Sequence, residues 1–532
     1  MNYIDIYNFW FNNQKYWIPI SDKDKDYIDN IIYKDYYNKK IENINDNKSF
    51  IGYIIYNDQF IKHFQRINNS ITDNYILNQR QELINFIKEN NILDDLLNIK
   101  DVELIFILMP FKHIFNYEFV LETIIKWCDI NNKKISDTQL SKFFNDTCNK
   151  YYNNYNYKIS NDISELKFSI NDRISVCDYY PTNININNIN INKELKLLEN
   201  TINKNVIVVS LSGGVDSMLS LYLLNLLKNK FNFELLACHI IYGNRIESNI
   251  EYDVVKEFCF SLDIKLHSFR IKYLKRNNVE REFYEEITRK IRFNFYKSFG
   301  DCNVYLGHIK DDVIENIWTN ISKNQHIFDL KKMSINSIIE GVNIIRPFLT
   351  VDKNKILDIA HNYCIPYLKN TTPEWSNRGK FRNRFYNETI KQFGSNVDNK
   401  IIELSDTLFN VGRILDNIIF KPIINSFDNN IINITQAIKA ELDYNNWLYL
   451  ITEICHNKLM IKKPSTNSIK QFVDRLNKNN LKCVPFKNAV VVNQESKAFS
   501  IHTVPFLKCH LKKNLQIIIY IKNNNYFMEF IY

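Results

Sequence analysis

The segment from residue 206 to residue 227 constrains the fold of this chain more than any other part of the sequence. The apolar run Val206–Leu211 predicts a buried strand, and the apolar run 218–227 predicts a helix. The turn between them reads Ser-Gly-Gly-Val-Asp-Ser from residue 212 to residue 217. Its two glycines allow the backbone to approach an anion closely, while the start of the helix offers unpaired N–H groups and the positive end of the helix dipole. The segment therefore predicts a phosphate-binding loop.

Asp216 adds a carboxylate to this loop. A carboxylate beside a phosphate is favourable mainly when a divalent cation lies between the two groups, so we predict that Asp216 binds Mg²⁺. An ordinary strand–turn–helix corner is the alternative, since Gly-Gly pairs are common in turns. The combination of glycine, acid and hydroxyl groups favours the phosphate site. The other predicted phosphate contacts are Ser212, Gly213, Gly214, Val215 and Ser217.

The chain from about 196 to 390 alternates predicted strands with predicted helices, which is typical of a parallel sheet covered by helices. Apolar segments at 235–240, 265–271 and 303–307 predict three further strands. In open parallel sheets the ligand lies at the carboxyl ends of the strands. His239 and Gly307 occur near such ends, so we expect both of them in the nucleotide site.

A second polar group follows the fourth predicted strand. His308 comes directly after it, and Asp312 and Glu315 lie one helical turn apart on the same face. A histidine can contact a phosphate or transfer a proton near neutral pH. Paired carboxylates can hold a metal ion or the ammonium group of an amine, although acids in the first turn of a helix are also common caps. Together with the phosphate loop, these residues make His308 and Asp312 catalytic candidates.

Arginines supply two further candidate groups. Arg292 lies on the predicted helix 280–299, where it could stabilise a phosphate that gains charge; a solvated basic helix face is the alternative. The segment 371–384 is basic and rich in turn residues, which suits binding of an RNA backbone or closure over a site; a charged loop without a ligand is the alternative. Its predicted RNA contacts are Arg378, Arg382 and Arg384.

Composition narrows the class of protein. The ten cysteines form no Cys-x-x-Cys pair, which argues against a zinc ribbon, a local iron–sulfur site or a disulfide framework. The formal net charge of +9 is compatible with a nucleic-acid partner without requiring one. The first residues lack the basic region of a signal peptide, and the apolar run 104–111 is too short to span a bilayer. We therefore expect a soluble, reduced, cytoplasmic protein with no membrane partner.

The chain of 532 residues predicts a multidomain fold. Residues 1–150 are aromatic and predict an all-α module. Residues 151–195 contain an Asn-Ile repeat whose low complexity favours a linker, although its period of two is also that of a strand. Residues 196–390 predict a central α/β domain with a parallel sheet. The C-terminal region is predicted to be α+β, with a helical substrate-binding part at 391–460 and a small α+β domain at 461–532.

Three short motifs stand out in the helical module: Phe-Trp-Phe at 9–11, Asp-Gln-Phe at 58–60 and Pro-x-x-His at 110–113. In this order they resemble a family of bacterial helical proteins of unknown function with a TPR-like array. Asp58 and His113 are candidates for a site, and an aromatic core with satisfied polar groups is the simpler interpretation. The resemblance implies no activity, so the partner of this module is unknown.

Six motifs of the central region occur in an order known from one superfamily. They are the loop 212–217, the segments 239–245 and 289–293, Leu-Gly-His-x-x-Asp-Asp at 306–312, Arg-Pro-Phe at 346–348 and Arg-Asn-Arg at 382–384. Together they resemble the PP-loop ATP pyrophosphatase superfamily and, within it, the tRNA(Ile)-lysidine synthetases. The resemblance covers about 200–390 and implies a Rossmann-like fold of the adenine nucleotide α-hydrolase type.

The resemblance also implies an activity. In this family ATP adenylates the C2 oxygen of the wobble cytidine in an isoleucine tRNA, pyrophosphate leaves, and the lysine ε-amine displaces AMP to form lysidine. The implied cofactors are ATP and Mg²⁺, and the implied partners are lysine and the tRNA anticodon loop. A second copy of the chain, in a homodimer, is a further candidate partner. The loop would hold the pyrophosphate, His308 and Arg292 would stabilise the α-phosphate, and Asp312 would position metal or lysine.

Two departures from the family pattern leave alternatives open. Tyr242 stands where the second strand of the family usually carries another histidine, and residues 329–336 replace a basic, glycine-rich segment. Another PP-loop tRNA-modifying enzyme, such as a thiolase, is one alternative, although it would generally need reactive cysteines. A synthetase of the amidotransferase type, or an NAD synthetase, is a second alternative. It would need a glutaminase nucleophile, and the sequence shows no such arrangement. A tRNA- or protein-binding protein with a relic nucleotide fold is the remaining alternative.

Overall fold

The computed structural model describes residues 2–17, 21–39, 44–155, 190–244, 247–323, 330–331, 333–368, 377–394, 396–460, 465–477, 484–486, 489–492, 516–522 and 525–531. They form two compact units. The first comprises Met1–Gly307, Asn336–Pro347 and Asn354–Thr371, and the second comprises His308–Ile335, Phe348–Lys353 and Thr372–Tyr532. The Asn-Ile repeat of the predicted linker lies almost wholly outside the described residues. Within the described ranges, no helix is long and apolar enough to cross a membrane.

The first unit begins with helices only, as the sequence predicts. Polar residues at Asn2, Ser21, Asp46, Thr72 and Asn116 accept backbone N–H bonds at helix starts and so define where five of these helices begin. A π-helical turn, Tyr56–Phe60, joins the third helix to the fourth. The helices are α1 (Tyr3–Asn12), α2 (Asp22–Tyr36), α3 (Asn47–Ile55), α4 (Ile61–Ile67), α5 (Asp73–Glu89), α6 (Asp101–His113), α7 (Tyr117–Ile130) and α8 (Leu140–Asn154).

A six-stranded sheet forms the rest of this unit, in the order β3-β2-β1-β4-β6-β5. All neighbours pair in parallel except β5 and β6, which pair antiparallel. The central strands are buried because they carry continuous apolar runs, as expected for a parallel sheet covered by helices. The strands are β1 (Val206–Leu211), β2 (Glu234–Ile241), β3 (Lys265–Arg270), β4 (Asn303–Leu306), β5 (Asn336–Ile339) and β6 (Val342–Ile345).

Further helices belong to the same unit as this sheet, and several of them contact its strands. They are α9 (Asn192–Glu199), α10 (Val215–Phe231), α11 (Glu247–Ser261), α12 (Arg281–Lys297) and, from its second residue onward, α14 (Lys353–Asn362). Helix α10 contacts β1, β2 and β4, so it lies over the centre of the sheet. Its side chains are apolar almost all round, which explains why most of them are buried. The central prediction of a Rossmann-like α/β domain is confirmed.

The N-terminal helices pack directly on the sheet domain. The Tyr273 hydroxyl lies beyond the end of β3 and donates hydrogen bonds to Glu118 and Glu122 of α7, the second at 3.0 Å. The Ser136 N–H donates to the Asn278 carbonyl at 3.1 Å. One hydrophobic cluster runs from the N-terminal helices into the sheet, with Trp127 and Tyr296 among its buried members. The helical module and the sheet are therefore parts of one compact unit.

The second unit is helical with a separate sheet. Its five strands have the order β7-β11-β10-β9-β8, and β10 and β11 pair antiparallel. Trp447, Phe472 and Met528 are buried in its core. The elements are α13 (Lys310–Ser322), α15 (Asn377–Lys380), α16 (Asn387–Phe393), α17 (Val397–Leu415), α18 (Lys421–Asn425), β7 (Ile431–Asn433), α19 (Thr435–Lys439), α20 (Tyr444–Glu453), α21 (Thr466–Asn477), β8 (Val484–Phe486), β9 (Ala489–Val492), β10 (Gln516–Lys522) and β11 (Asn525–Ile531).

Gly52 allows the close packing of α3 on α1. A methyl group at this position would collide with the Tyr3 carbonyl. Alanine normally stabilises a helix relative to glycine, but here we expect Gly52→Ala to destabilise the chain by about 1–3 kcal/mol, because a backbone group must move. Urea denaturation followed by circular dichroism measures the change. The exposed substitution Lys34→Ala on α2 should stay within about 0.5 kcal/mol of the parent, and a stabilising Gly52→Ala would contradict the close contact.

Candidate functional site

The predicted phosphate loop adopts a closed conformation held by its two serines. The Ser217 hydroxyl donates to the Gly214 carbonyl at 3.0 Å and accepts the Ser212 N–H at 3.1 Å. Gly213 has φ +80°, a left-handed conformation that favours glycine. The start of α10 carries no side-chain cap. Its first N–H groups and the helix dipole are therefore directed toward the loop, which is the arrangement that binds phosphate.

Gly307 makes the closest approach of a neighbouring strand to this loop. A Cβ atom at Gly307 would lie 2.6 Å from the Ser217 nitrogen and 2.8 Å from the Asp216 carbonyl carbon. Both contacts are to backbone, so a side chain cannot be accommodated by a rotamer change. The end of β4 and the first turn of α10 can meet only because residue 307 is glycine.

His239 is buried beneath the loop. Its Nδ1 atom lies 2.9 Å from the Leu211 carbonyl, at the residue where β1 ends, and only 4% of the residue is exposed. Burial lowers the pKa of His239 to about 4, so the ring is neutral at pH 7 and Nδ1 donates to the carbonyl. His239 thus anchors the end of β1 and supports the loop as a neutral group.

Arg292 lies on α12 in the same unit. Burial opposes its charge, but the nearby Tyr242, Tyr296 and Glu340 side chains favour the charged form and raise its pKa. Tyr242, which replaces the histidine of the family pattern, therefore lies within electrostatic range of Arg292. The structure brings together the loop, Gly307 and His239, with Arg292 beside the end of β2.

The second unit contains a compact cluster of two carboxylates and two arginines. Arg378 contacts Asp312 at 2.6 Å and Glu315 at 2.8 Å. Arg382 contacts Asp312 at 2.7 Å and Glu315 at 3.2 Å. Each arginine therefore bridges both carboxylates, which share one face of α13 as their spacing predicts. Arg384 is exposed and is not part of these four ion pairs.

Asp312 also caps α13. Its Oδ2 atom accepts the Ile309 N–H at 3.0 Å, and only 5% of the residue is exposed. Burial raises the pKa of Asp312, but His308, Arg378 and Arg382 outweigh burial and hold the pKa below its usual range. Asp312 is therefore an anion at neutral pH. Its charge is compensated by the two arginines, each of which also contacts Glu315.

Two features of the sites were not predicted. The Leu368 N–H donates to the Gly213 carbonyl at 2.9 Å, so residues that follow α14 hold the phosphate loop from outside. No sequence pattern marks this backbone contact. The predicted RNA contacts Arg378 and Arg382 instead face carboxylates within the chain. Their spacing of four residues on a helical segment was the available signal for a shared target.

Gly307→Ala tests the close approach at the loop. The new methyl group would push apart β4 and the first turn of α10, so we expect at least about tenfold weaker ATP binding, measured by isothermal titration calorimetry. Gly341→Ala is the matched control, since a Cβ there would have no atom within 4 Å and only its φ of +81° opposes the change. Equal ATP affinity in Gly307→Ala and the parent would contradict the proposed phosphate site.

The pKa of Asp312 tests the carboxylate cluster. Because its folded pKa is depressed, the ion pairs stabilise the fold above the ordinary carboxyl pKa of 3.8, and this contribution is lost as pH falls through the folded value. Arg382→Gln should raise the pKa toward 3.8, as followed by carboxyl ¹³C NMR. Arg413→Gln, an exposed change on α17, should leave it unaltered. An unchanged Asp312 titration in Arg382→Gln would exclude a direct ion pair.

Comparisons with known proteins agree with this geometry. Residues 187–392 match the model of a PP-loop domain. The tRNA(Ile)-lysidine synthase of Chlamydia muridarum is 27% identical over 218 residues, covering 39% of this chain and 65% of that protein. That of Malacoplasma penetrans is 25% identical over 298 residues, covering 52% of this chain and 90% of that protein. That of Clostridioides difficile is 30% identical over 213 residues, covering 38% of this chain and 45% of that protein.

The matches cover different shares of the three relatives. The chain spans less than two thirds of the length of the Chlamydia and Clostridioides relatives and nearly all of the Malacoplasma relative. The matched residues 187–392 include the phosphate loop, Gly307 and the carboxylate cluster. The resemblance inferred from the motifs is thereby confirmed: the chain contains a PP-loop domain, and its relatives are tRNA(Ile)-lysidine synthases.

Proposed function

We propose that the protein is an ATP-dependent tRNA-modifying ligase that attaches lysine to C2 of the wobble cytidine of an isoleucine tRNA. The observation that carries the proposal is the loop 212–217, closed by its serines and approached by Gly307, within a PP-loop domain. Relatives named tRNA(Ile)-lysidine synthases support the choice of substrate. ATP would activate the base, and AMP and pyrophosphate would be released.

The loop residues would hold the phosphates. The N–H groups at the start of α10 suit the pyrophosphate, and His239 would keep the end of β1 in place without adding charge. We propose that Arg292 and His308 stabilise the negative charge that develops at the α-phosphate, since positioned cationic and hydrogen-bonding groups act most strongly where charge forms. In this proposal Asp216 belongs to both the phosphate site and the metal site.

Asp216 would hold Mg²⁺ together with oxygens of the bound nucleotide. Within the described residues, no group of three or more His, Cys, Asp or Glu side chains is arranged to hold a metal ion. This fits magnesium, which commonly uses one or two carboxylates, phosphate oxygens and water. When bound, the ion would neutralise phosphate charge; Asp216 would orient it.

Asp312 and Glu315 are proposed to receive the lysine ammonium group. Arg378 forms ion pairs with both carboxylates, Asp312 is held as an anion, and both side chains lie on one face of α13. The incoming amine would take over contacts that Arg378 and Arg382 make in the free protein. Once released, Arg378 and Arg382, with the exposed Arg384, would be available to the tRNA backbone, as their positive charge suits phosphate contacts.

Three buried cysteines of the central domain offer no support for a thiolase activity. Burial raises the pKa of Cys259 to about 12 and that of Cys302 to about 11, and burial also raises the pKa of Cys238. Thiols of this kind are poor nucleophiles and poor metal ligands at neutral pH.

The tRNA anticodon loop, lysine and ATP are cytoplasmic molecules, so we propose a cytoplasmic location. We also propose that the five predicted regions are the functional divisions of the chain.

The proposal predicts that radioactive lysine enters tRNA only when ATP is present. Purified protein is incubated with labelled lysine, ATP and the host tRNA pool, and the tRNA is precipitated and counted. Asp312→Asn should lower incorporation by at least about 100-fold, because an amide does not attract the ammonium group, while ATP binding by calorimetry persists. Arg413→Gln is the surface control. Lysine that never enters tRNA, under conditions where ATP binds, would refute lysine as the nucleophile.

A further inference from the structure

The π-helical turn between α3 and α4 directs a carboxylate into the N-terminal helices. The turn comprises Tyr56–Phe60 and contains Asp58, which is fully buried. A wide turn adds one residue to the helix and so changes which side chain faces the interior. Phe60 fills the aromatic core on one side, and Asp58 faces α5 and α6. A buried carboxylate of this kind must be paired, since an isolated one is strongly unfavourable.

Three donors from three segments meet this carboxylate. Arg80 of α5 places its Nε atom 2.7 Å from Oδ1, and His113 at the end of α6 places Nδ1 3.0 Å from the same oxygen. Gln59 donates to Oδ2. Lys62, half-buried on α4, is close enough to interact electrostatically with both Asp58 and Arg80. We call Asp58, Lys62, Arg80 and His113 the Asp58 cluster.

A second cluster in the same helices contains a complete two-bond pair between an arginine and a carboxylate. Arg66 contacts Asp29 through two parallel bonds of 2.6 Å, from Nε to Oδ2 and from Nη2 to Oδ1. His63 approaches the same carboxylate at 2.6 Å. Both oxygens of Asp29 thus receive one edge of a guanidinium, which is the strongest arrangement of this pair. The Asp29 cluster needs no additional ligand.

The Asp58 cluster leaves one donor unused. Gln59 donates to Oδ2, and the Nη2 atom of Arg80 does not complete a parallel pair with the carboxylate. Arg80 is only 8% exposed, and its Nη2 atom is buried. This atom has no hydrogen-bond partner among the described residues. A buried donor on a charged group is unfavourable when it has no hydrogen-bond partner. Two cations, Arg80 and Lys62, also lie near a single carboxylate. The cluster therefore carries a net positive charge, which one further anion would neutralise.

His113 identifies the kind of anion. Burial lowers the pKa of His113, so the ring is neutral at pH 7, and its bond to Asp58 makes Nδ1 the donor. The other ring nitrogen, Nε2, is then an acceptor. The His113 side chain is 23% exposed, so the cluster reaches solvent at this residue. The ligand must therefore accept bonds from Arg80 and donate one to His113.

We propose that the Asp58 cluster binds a phosphate group, as inorganic phosphate or a phosphate monoester. A phosphate that keeps one proton supplies a P–O–H donor for His113 Nε2 and acceptor oxygens for Arg80 and Lys62. A carboxylate supplies only acceptors, so it matches the cluster less well. The site is separate from the phosphate loop and does not depend on the proposed ligase activity. The ligand enters beside His113 and Lys62, and Arg80 completes its second bond on binding.

Histidine ring NMR on the full-length chain tests this site separately from the phosphate loop. The chain has 10 histidines, so ¹⁵N-labelled rings give few signals, and His113→Gln assigns the one of interest. Titration with inorganic phosphate to about 50 mM should give a saturable shift of the His113 signal, which corresponds to weak but specific binding. The His63 signal is the internal control and should stay in place. A His113 signal that does not move would overturn the proposal.

Variants then distinguish binding from general ionic effects. Lys62→Gln changes a half-buried residue and should weaken phosphate binding by at least about tenfold, as should Arg80→Gln if it folds. Arg66→Gln in the Asp29 cluster is the matched control and should leave the His113 titration unchanged. A phosphate-dependent shift of equal midpoint in Lys62→Gln and the parent would contradict the site. So would a shift that potassium chloride reproduces at equal ionic strength.

Discussion

The nucleotide site depends on one close contact between backbone atoms. The end of β4 meets the first turn of α10 at Gly307, where a Cβ would lie 2.6 Å from the Ser217 nitrogen. This contact sets the position of the helix start whose N–H groups and dipole favour a phosphate. The serine hydroxyls, the Leu368 N–H and the neutral His239 then hold the loop from three other directions. Without the glycine, these supports would not converge on the same loop conformation.

Electrostatics differ between the two groups of site residues. The start of α10 directs its dipole toward the loop, and burial leaves His239 neutral, so an anion bound there would be held mainly by N–H groups. Asp312 of α13 is instead kept ionised by arginines and His308, which hold its pKa below the usual range. A reaction that joins a nucleotide to an amine needs both kinds of environment. Their occurrence in one PP-loop domain fits the proposed ligase better than a protein that only binds RNA.

Local patterns sufficed for the elements that position the site. The strands β1 to β4 were predicted within about two residues, because each is a short apolar run followed by a glycine or polar turn. The pairing of Asp312 and Glu315 on one helix face also follows from spacing alone. The bonds from Arg378 and Arg382 could not be predicted, since they join residues whose separation is 63 to 70 positions. The same holds for the contact between Asp58 and His113, which depends on how α6 packs beside the π-helical turn.

The central claim is that the loop 212–217 directs cleavage of ATP between its α- and β-phosphates. The most direct measurement uses ATP labelled with ³²P at the α-position, incubated with the protein, lysine and host tRNA and then separated by thin-layer chromatography. The label should appear in AMP, in amounts equal to the pyrophosphate released, and only when tRNA is present. Label in ADP would place cleavage at the γ-phosphate and contradict the account of the loop.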